Sequence, residues 1–214
     1  PQDWVSAGKL TETMDGFAAA HRGLAPVVVV ADGTGSPIAN PLCMNSRLGN
    51  ADTYLSVDVP AWINTHLTVD PSPHAWAVGG LSYGGTCALQ LATNHPQTFP
   101  TFLDFSGAAE PSLGDRRRTL AAAFGGDLTA FGKVNPLDLL RTQSYRGTAG
   151  SVVVGSADED TKPDARTVAD AVYVAGADVR YIELPGTHSW QVWSAALAHE
   201  MPWLAARLGL TGYP

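Results

Sequence analysis

Basic residues, cysteines and long apolar runs are all scarce in this 214-residue chain. Its 13 lysines and arginines are outnumbered by 20 aspartates and glutamates, giving a net charge of −7. This balance disfavours nucleic acid as the main partner, because phosphate binding needs a basic face. No apolar run approaches the roughly 20 residues of a membrane-spanning helix. The sequence also lacks metal-ligand spacings and a glycine-rich phosphate loop, so it predicts neither a metal nor a cofactor.

The two cysteines, Cys43 and Cys87, allow at most one internal disulfide. The alternative is a pair of buried thiols that behave as small apolar side chains, and the spacing does not decide between them. The chain opens at Pro1 with neither an initiator methionine nor a signal peptide. We therefore expect a fragment or a processed domain, with further polypeptide upstream.

Strand-like and helical patterns alternate along the chain, which predicts an α/β fold with a mainly parallel sheet flanked by helices. The length fits a single domain over residues 1–214. Apolar runs typical of buried parallel strands occur at residues 27–31, 75–81, 102–106, 151–155 and 179–184. Helical patterns occur at residues 10–21, 54–66, 163–173 and 190–208. Pro60 is expected to kink or restart the second of these helices.

Residues 107–150 interrupt this alternation. The stretch is rich in glycine and proline, with short helical patterns near residues 119–124 and 136–140. Ligands bind outside the carboxyl ends of the strands in an open α/β sheet, so this insertion is expected to form a wall or lid near the active site. An ordinary excursion that covers the sheet is the alternative. Its basic run at residues 116–118 is either a solvated face or a contact for an anionic headgroup.

The string G-L-S-Y-G at residues 80–84 follows an apolar run and precedes a helical one. A G-x-S-x-G on a strand-to-helix turn is a nucleophile elbow, in which the glycines permit the sharp turn. This context predicts Ser82 as a nucleophile at the positive end of a helix dipole. The backbone N–H of Tyr83, directly after it, is then the first donor of the oxyanion hole.

A serine nucleophile needs a histidine base and an orienting acid, and hydrolases of this fold carry them in the order serine, acid, histidine. Asp158 follows the strand-like run at residues 151–155, and His188 follows the one at 179–184. Both are therefore predicted at the same edge of the sheet as Ser82. Glu159 and Asp160 adjoin Asp158, and either remains an alternative acid.

Three strings together resemble the esterase D-like branch of α/β-hydrolases, to which the antigen 85 mycolyltransferases belong. They are G-L-S-Y-G-G at residues 80–85, F-S-G at 105–107 and G-T-H-S-W-Q-V-W at 186–193. Asp32-Gly33 and the stretch at residues 45–47 look like the loop of that branch that leads toward the substrate cleft. The resemblance covers about residues 27–208. It implies a serine hydrolase or acyltransferase with Ser82 and His188 in their motif positions.

The chain departs from that branch in two ways. Antigen 85 enzymes use a glutamate as the acid, whereas the G-S-A-D string ending at Asp158 is more like the aspartate of ordinary esterases. The branch also carries a central strand, ending in an L-x-G or H-G loop, ahead of the segment where this chain begins. That loop usually gives the second oxyanion donor. The resemblance therefore implies an upstream segment or a second chain that completes the sheet.

These observations predict a serine esterase that acts on a small-molecule or lipid ester through an acyl-enzyme on Ser82. An acyltransferase that uses a sugar or lipid hydroxyl is the first alternative, and a catalytically silent binding module is the second. Trp190 is predicted either to line an acyl or sugar site or to pack beside the histidine loop. The resemblance to cell-envelope enzymes implies an extracytoplasmic location.

Overall fold

The computed structural model describes residues 2–36 and 38–212. Its strands are β1 (Asn45–Ser46), β2 (Gly49–Asn50), β3 (Val78–Leu81), β4 (Thr101–Phe105), β5 (Ala149–Gly155) and β6 (Asp178–Leu184). Its α-helices are α1 (Gln2–Ser6), α2 (Leu10–Ala20), α3 (Ala51–Thr53), α4 (Val59–His66), α5 (Tyr83–Asn94), α6 (Arg116–Phe124), α7 (Leu128–Gly132), α8 (Pro136–Thr142), α9 (Lys162–Val174) and α10 (Trp190–Arg207).

The central sheet has the order β3–β4–β5–β6, and its neighbouring strands are all parallel. Leu81 pairs with Phe105, and Phe105 pairs with Val153. The ladder continues past the strand ends, because Ser82 N–H donates to Phe105 O at 2.8 Å and Ser106 N–H to Val153 O at 2.8 Å. This register aligns the carboxyl ends of the strands at one edge, where the candidate site forms.

The predicted strand at residues 27–31 is wrong. The segment belongs to neither sheet, and its valines are exposed: 61% for Val27, 45% for Val28 and 38% for Val29. A run of β-branched residues favours extended backbone, but a stable strand also needs a hydrogen-bonded neighbour. None of the described residues pairs with this segment.

Apolar side chains cover both faces of the sheet. On one face α5, α8 and α9 pack over Phe102, Val152 and Val154. On the other face α2 and α10 pack over Phe105 and Val153. Strands β4 and β5 are buried along their whole length, as expected for parallel strands with helices on both sides.

Pro60 lies in a helical stretch that continues through it. Residues Tyr54–Asp58 form a π-helical turn between α3 and α4. A proline has no N–H to donate and its ring crowds the carbonyl four residues earlier. The wider turn just before Pro60 relieves that conflict, so the expected kink takes the form of a local widening.

The insertion at residues 107–150 contains α6, α7 and α8. Its buried Ala123 packs with Leu42 and Met44, which belong to the loop before β1. The same loop is attached to α5 by a disulfide between Cys43 and Cys87, with the Cα atoms 5.4 Å apart. The structure thereby resolves the alternative that the sequence left open for the two cysteines.

Candidate active site

Ser82 occupies a strained turn between β3 and α5. Its φ of 49° and ψ of −118° lie in a region that non-glycine residues rarely adopt. A Cβ on Gly80 would collide with the backbone of Gly84, so only glycine permits this close approach of strand and helix. Ser82 O accepts hydrogen bonds from the N–H groups of Gly85 and Thr86 at 2.9 and 3.1 Å, and these bonds hold the turn.

A continuous chain of hydrogen bonds joins the three residues that the sequence singled out. His188 Nε2 lies 2.9 Å from Ser82 Oγ, and His188 Nδ1 lies 2.8 Å from Asp158 Oδ2. With the proton of the neutral ring on Nδ1, Nδ1–H donates to the carboxylate and Nε2 accepts from the serine hydroxyl. This arrangement can remove the hydroxyl proton as the oxygen attacks a carbonyl.

Asp158 is buried and receives further hydrogen bonds from Thr161. Thr161 Oγ1 donates to Asp158 Oδ2 at 2.5 Å, and Thr161 N–H donates to Oδ1 at 3.3 Å. Burial opposes ionisation of Asp158, but the hydrogen bonds from Thr161 and His188 outweigh it and lower the pKa of the carboxyl. The group is therefore anionic at neutral pH, as an orienting acid must be.

Gly155 allows the turn that carries Asp158 to lie close to the loop that carries His188. A Cβ at this position would lie 2.6 Å from Gly186 O and 2.8 Å from Thr187 O. Ala157 N–H donates to Gly186 O at 2.8 Å and fixes the two loops together. The glycine at the end of strand β5 thus has a packing role that brings Asp158 and His188 together.

Tryptophans support the other side of the histidine loop. Trp193 packs edge-to-face on His188 with ring centroids 4.8 Å apart, and Trp190 packs on Trp193 at 5.4 Å. Trp190 also contacts Trp4 of α1 at 5.6 Å. The structure therefore places Trp190 between two other tryptophans, outside the set of residues that line the cavity at Ser82.

A cavity of about 230 Å³ opens beside Ser82 and His188. One wall comes from α5 and the loop before β1, and the facing wall comes from the start of the insertion and from Thr161. The residues that complete its lining are Asn40, Leu42, Tyr83, Thr86, Gln90, Ser106, Ala108, Glu110, Pro111, Ser112 and Thr161. The insertion thus contributes a wall of the cavity through residues 108–112.

Tyr83 contributes to the site through both its backbone and its side chain. As the first residue of α5, it presents an N–H that has no acceptor within the helix. Its hydroxyl accepts a hydrogen bond from Cys43 N–H at 3.1 Å. Burial raises the pKa of this phenol, against the hydrogen bond from Cys43 and with a contribution from the charge of Asp32. The side chain is therefore a neutral brace between the elbow and the disulfide loop.

Asp104 is fully buried behind the elbow. Its Oδ1 accepts from Gly107 N–H at 2.8 Å, while Oδ2 has no partner among the described residues. Burial raises the pKa of this carboxyl to about 7, against the hydrogen bond from Gly107, and the charge of Asp164 raises it further. The Asp104 carboxyl packs closely against the backbone of Gly85 and Gly107, since a Cβ on either glycine would collide with Oδ1.

Asp104 is expected to make the protein less stable as the pH rises. Its pKa in the folded state is about 7, against an ordinary value of 3.8 for aspartate, so between pH 3.8 and pH 7 the carboxyl is protonated in the folded protein and ionised in the unfolded chain. The contribution of the protonated Asp104 to the free energy of unfolding is complete below about pH 4. It falls by at most about 1.4 kcal/mol for each pH unit and is lost toward pH 7. Asp104→Asn keeps the acceptor for Gly107 and should remove this dependence in urea unfolding measured across that interval. Parallel curves for the two proteins would contradict the assignment.

Several residues at the site carry no motif in the sequence. Thr161 is recognisable only once Asp158 is identified, because it lies three residues further along at the start of α9. Glu110 stands in the irregular insertion, and Leu42 reaches the cavity only because the disulfide loop folds against α5. Among residues 2–36 and 38–212, no cluster of histidine, cysteine and carboxylate side chains is arranged to hold a metal ion.

Comparison with known proteins places this geometry in a family. The model of the Esterase family, described as "Putative esterase", matches residues 2–204. An uncharacterized protein of Corynebacterium glutamicum, Cgl0967/cg1104, is 43% identical over 216 residues, covering 98% of this chain and 51% of the relative. The MPT51 antigen of Mycobacterium leprae is 36% identical over 127 residues, covering 58% and 39%.

An antigen 85 protein is also similar. Diacylglycerol acyltransferase/mycolyltransferase Ag85A of Mycobacterium bovis is 28% identical over 190 residues, covering 75% of this chain and 56% of the relative. The chain thus spans about half the length of the curated relatives it matches. These similarities agree with the resemblance that the three sequence strings carry, including the esterase and antigen 85 branch.

Solved structures share the fold. A ferulic acid esterase superposes with a TM-score of 0.80 at 18% identity, covering 97% of this chain and 80% of that one. MPT51 of Mycobacterium tuberculosis superposes with a TM-score of 0.69 at 21% identity, covering 96% and 84%. At such identities the likeness is one of architecture, and it confirms the predicted α/β-hydrolase fold. The family model, which matches residues 2–204, shows that the chain belongs to the Esterase family.

Proposed function

We propose that this chain is a serine esterase that hydrolyses a carboxylic ester through an acyl-enzyme on Ser82. The hydrogen-bonded chain from Ser82 Oγ through His188 to the buried Asp158 carries the proposal. The proposal also agrees with the Esterase family model over residues 2–204. A catalytically silent binding module would not need a strained Ser82 that is hydrogen-bonded to His188 and, through it, to an anionic Asp158.

In the first half-reaction Ser82 Oγ attacks the ester carbonyl while its proton moves to His188 Nε2. The tetrahedral oxyanion accepts a hydrogen bond from Tyr83 N–H. Collapse of the intermediate breaks the bond to the alcohol, which leaves with the proton from His188. Asp158 stabilises the imidazolium that forms in between. In the second half-reaction water attacks the acyl-enzyme in the same way, and Ser82 regains its proton.

An acyltransferase is the second candidate. The similarity to a relative named diacylglycerol acyltransferase/mycolyltransferase favours it. The chemistry differs in one step, because an alcohol hydroxyl replaces water as the acceptor of the acyl group. Product analysis with a simple acyl ester, with and without a sugar acceptor, separates the two: a new sugar ester would favour the acyltransferase over the esterase.

We also propose that a further strand completes the sheet beside β3. Strand β3 pairs with β4 alone among the described residues, so its other edge is open. The unpaired segment 27–31 has exposed valines, and Ala25 just before it packs against the same core cluster as Leu81. A strand from another part of the polypeptide, or from a second chain, would cover the exposed valines and supply the second oxyanion donor.

The disulfide supports an extracytoplasmic location, which we propose for this chain. A disulfide persists in oxidising compartments and is rare in the cytosol, and Cys43 and Cys87 are joined. Within the described residues, the structure contains no helix that is both long and apolar enough to cross a membrane.

Covalent labelling tests the enzyme directly. A fluorophosphonate probe phosphonylates an activated serine, so we expect the wild-type protein to be labelled and Ser82→Ala to lose the label. Ser106→Ala is the matched control, because Ser106 also follows a strand and has a positive φ of 56° but lacks the histidine partner. Absence of label on the folded wild-type protein, tested both as this chain and as the natural full-length protein, would overturn the proposal. Faster labelling of the longer protein is the result expected from a completed sheet.

A further inference from the structure

Glu110 brings a carboxylate into the cavity beside Ser82. It lines the cavity together with Pro111 and Ser112, on the loop that follows β4. Its side chain is 23% exposed, so it is neither a freely solvated surface group nor a sealed one. The mechanism proposed above gives Glu110 no part in bond making or breaking.

The Glu110 carboxylate is held in place through one of its two oxygens. Oε1 accepts hydrogen bonds from Arg116 Nη1 and Asn135 Nδ2, each at 2.6 Å. Asn135 is completely buried at the start of α8, which makes the anchor rigid. Within residues 2–36 and 38–212, no hydrogen bond reaches Oε2. Glu110, a residue of the cavity lining, therefore has one carboxylate oxygen that is free to accept a hydrogen bond.

The charge of Glu110 is balanced within the protein. Arg116 also contacts Asp138 at 3.4 Å, and Asp138 is bonded to Arg141. The cluster thus contains two carboxylates and two guanidinium groups and is neutral as a whole. A neutral cluster has little net attraction for a cationic substrate, so the free oxygen selects a partner through hydrogen bonding.

Several other polar side chains of the cavity are already engaged, whereas the neutral acceptors Gln90 Oε1 and Ser106 Oγ are buried and have no partner among the described residues. Asn40 accepts from Leu42 N–H and donates to Ser112 O. Thr86 accepts from Ala108 N–H, and Thr161 donates to Asp158. Glu110 Oε2 therefore differs from them as a charged acceptor that still has its capacity to bond, and charge-assisted hydrogen bonds are about twice as strong as neutral ones.

We propose that Glu110 is a specificity-determining residue that accepts a hydrogen bond from a hydroxyl group of the substrate. On this basis the site takes esters with a free hydroxyl near the scissile bond, such as esters of hydroxylated acids or of polyols, in preference to plain alkyl esters. This inference rests on the proposed esterase function. The hydroxyl belongs either to the acyl half or to the alcohol half of the ester, and the two series of substrates below distinguish these sources.

The test compares matched esters that differ in the hydroxyl alone. Ethyl lactate, its methyl ether and ethyl isobutyrate form the acyl series, and ethylene glycol monobutyrate, its methyl ether and propyl butyrate form the alcohol series. A methyl ether retains the oxygen but cannot donate a hydrogen bond. In one of the series we expect wild-type kcat/KM to favour the hydroxyl ester over both others by about tenfold or more, the factor typical of a hydrogen bond to a charged group.

Glu110→Gln is expected to reverse the order of the hydroxyl and methyl ether esters or bring them level. Arg116 hydrogen-bonds the amide oxygen in place of Oε1, which turns the amide NH₂ of the glutamine toward the cavity as a donor to the ether oxygen. Asp138→Asn is the matched control, since it removes a carboxylate from the same cluster but not from the cavity wall. It should preserve the wild-type ratio.

Two results would overturn the inference while leaving the esterase intact. The first is hydrolysis of all the esters by the wild type with no preference for a hydroxyl. The second is an equal loss of kcat/KM for every ester in Glu110→Gln, which would indicate a structural role alone. Absence of hydrolysis together with absence of probe labelling would instead overturn the proposed function, and this inference with it.

Discussion

Replacing Asp158 by asparagine should lower kcat for ester hydrolysis by about 10⁴-fold. The carboxylate accepts the proton of His188 Nδ1 at 2.8 Å, and that bond leaves the lone pair of Nε2 directed at Ser82. An asparagine NH₂ favours the opposite tautomer, in which Nε2 carries the proton and is no longer a base. The measurement is steady-state hydrolysis of a short chromogenic ester, with circular dichroism to confirm that the variant is folded.

Asp160→Asn is the control for this prediction. Asp160 is the exposed carboxylate two residues beyond Asp158, and the sequence alone left it as an alternative acid. Its loss should change kcat by less than a factor of about three, as for a surface substitution away from the site. A large loss in Asp160→Asn with little effect in Asp158→Asn would assign the orienting acid differently from the hydrogen bonds described here.

Loss of the disulfide is expected to lower the free energy of unfolding by about 4 kcal/mol. The bond closes a loop with a sequence separation of 44. In the chain-entropy model, the entropy that the unfolded chain gains when a loop of that size is opened gives this figure. Both cysteines are buried, so a Cys43→Ala, Cys87→Ala double variant introduces no new polar group. Urea unfolding of wild type and double variant measures the difference.

The same change should weaken catalysis, because the disulfide loop forms part of the cavity. Leu42 lines the cavity, and its carbonyl accepts from the buried Gln90 Nε2 at 2.9 Å. Cys43 N–H braces the hydroxyl of Tyr83, whose backbone N–H serves the proposed oxyanion hole. Dithiothreitol should therefore lower both stability and kcat/KM of the wild type and leave the double variant unchanged. Equal urea midpoints of the wild type with and without reductant would refute the contribution of the disulfide.

The sequence predicted the parts of this site that depend on local pattern. An apolar strand followed by Ser82, Asp158 or His188 is visible in the chain, and parallel strands bring their carboxyl ends to one edge whatever the details of packing. Two of the three short helices of the insertion, α6 and α8, were visible for the same reason, whereas α7 was not predicted. The three G-x-S, F-S-G and H-S-W strings then identified the branch of the fold.

Features that depend on distant partners were not predictable. Two cysteines alone do not reveal whether they approach each other. Glu110 becomes interpretable only when Asn135, 25 positions away, bonds to it. The valines at residues 27–30 have strand character, but a strand is a property of two segments, and none of the described residues pairs with them.

The open edge of β3 has a practical consequence for handling the protein. Its unpaired backbone groups lie next to Ser82, and the exposed valines at residues 27–29 add apolar surface to the chain. Edges of this kind template pairing between molecules. If a preparation of this chain forms oligomers at high concentration, we therefore expect edge-to-edge pairing of β3 strands to be the first cause. Such pairing would also lower the activity on storage, because β3 leads directly into the turn that carries Ser82.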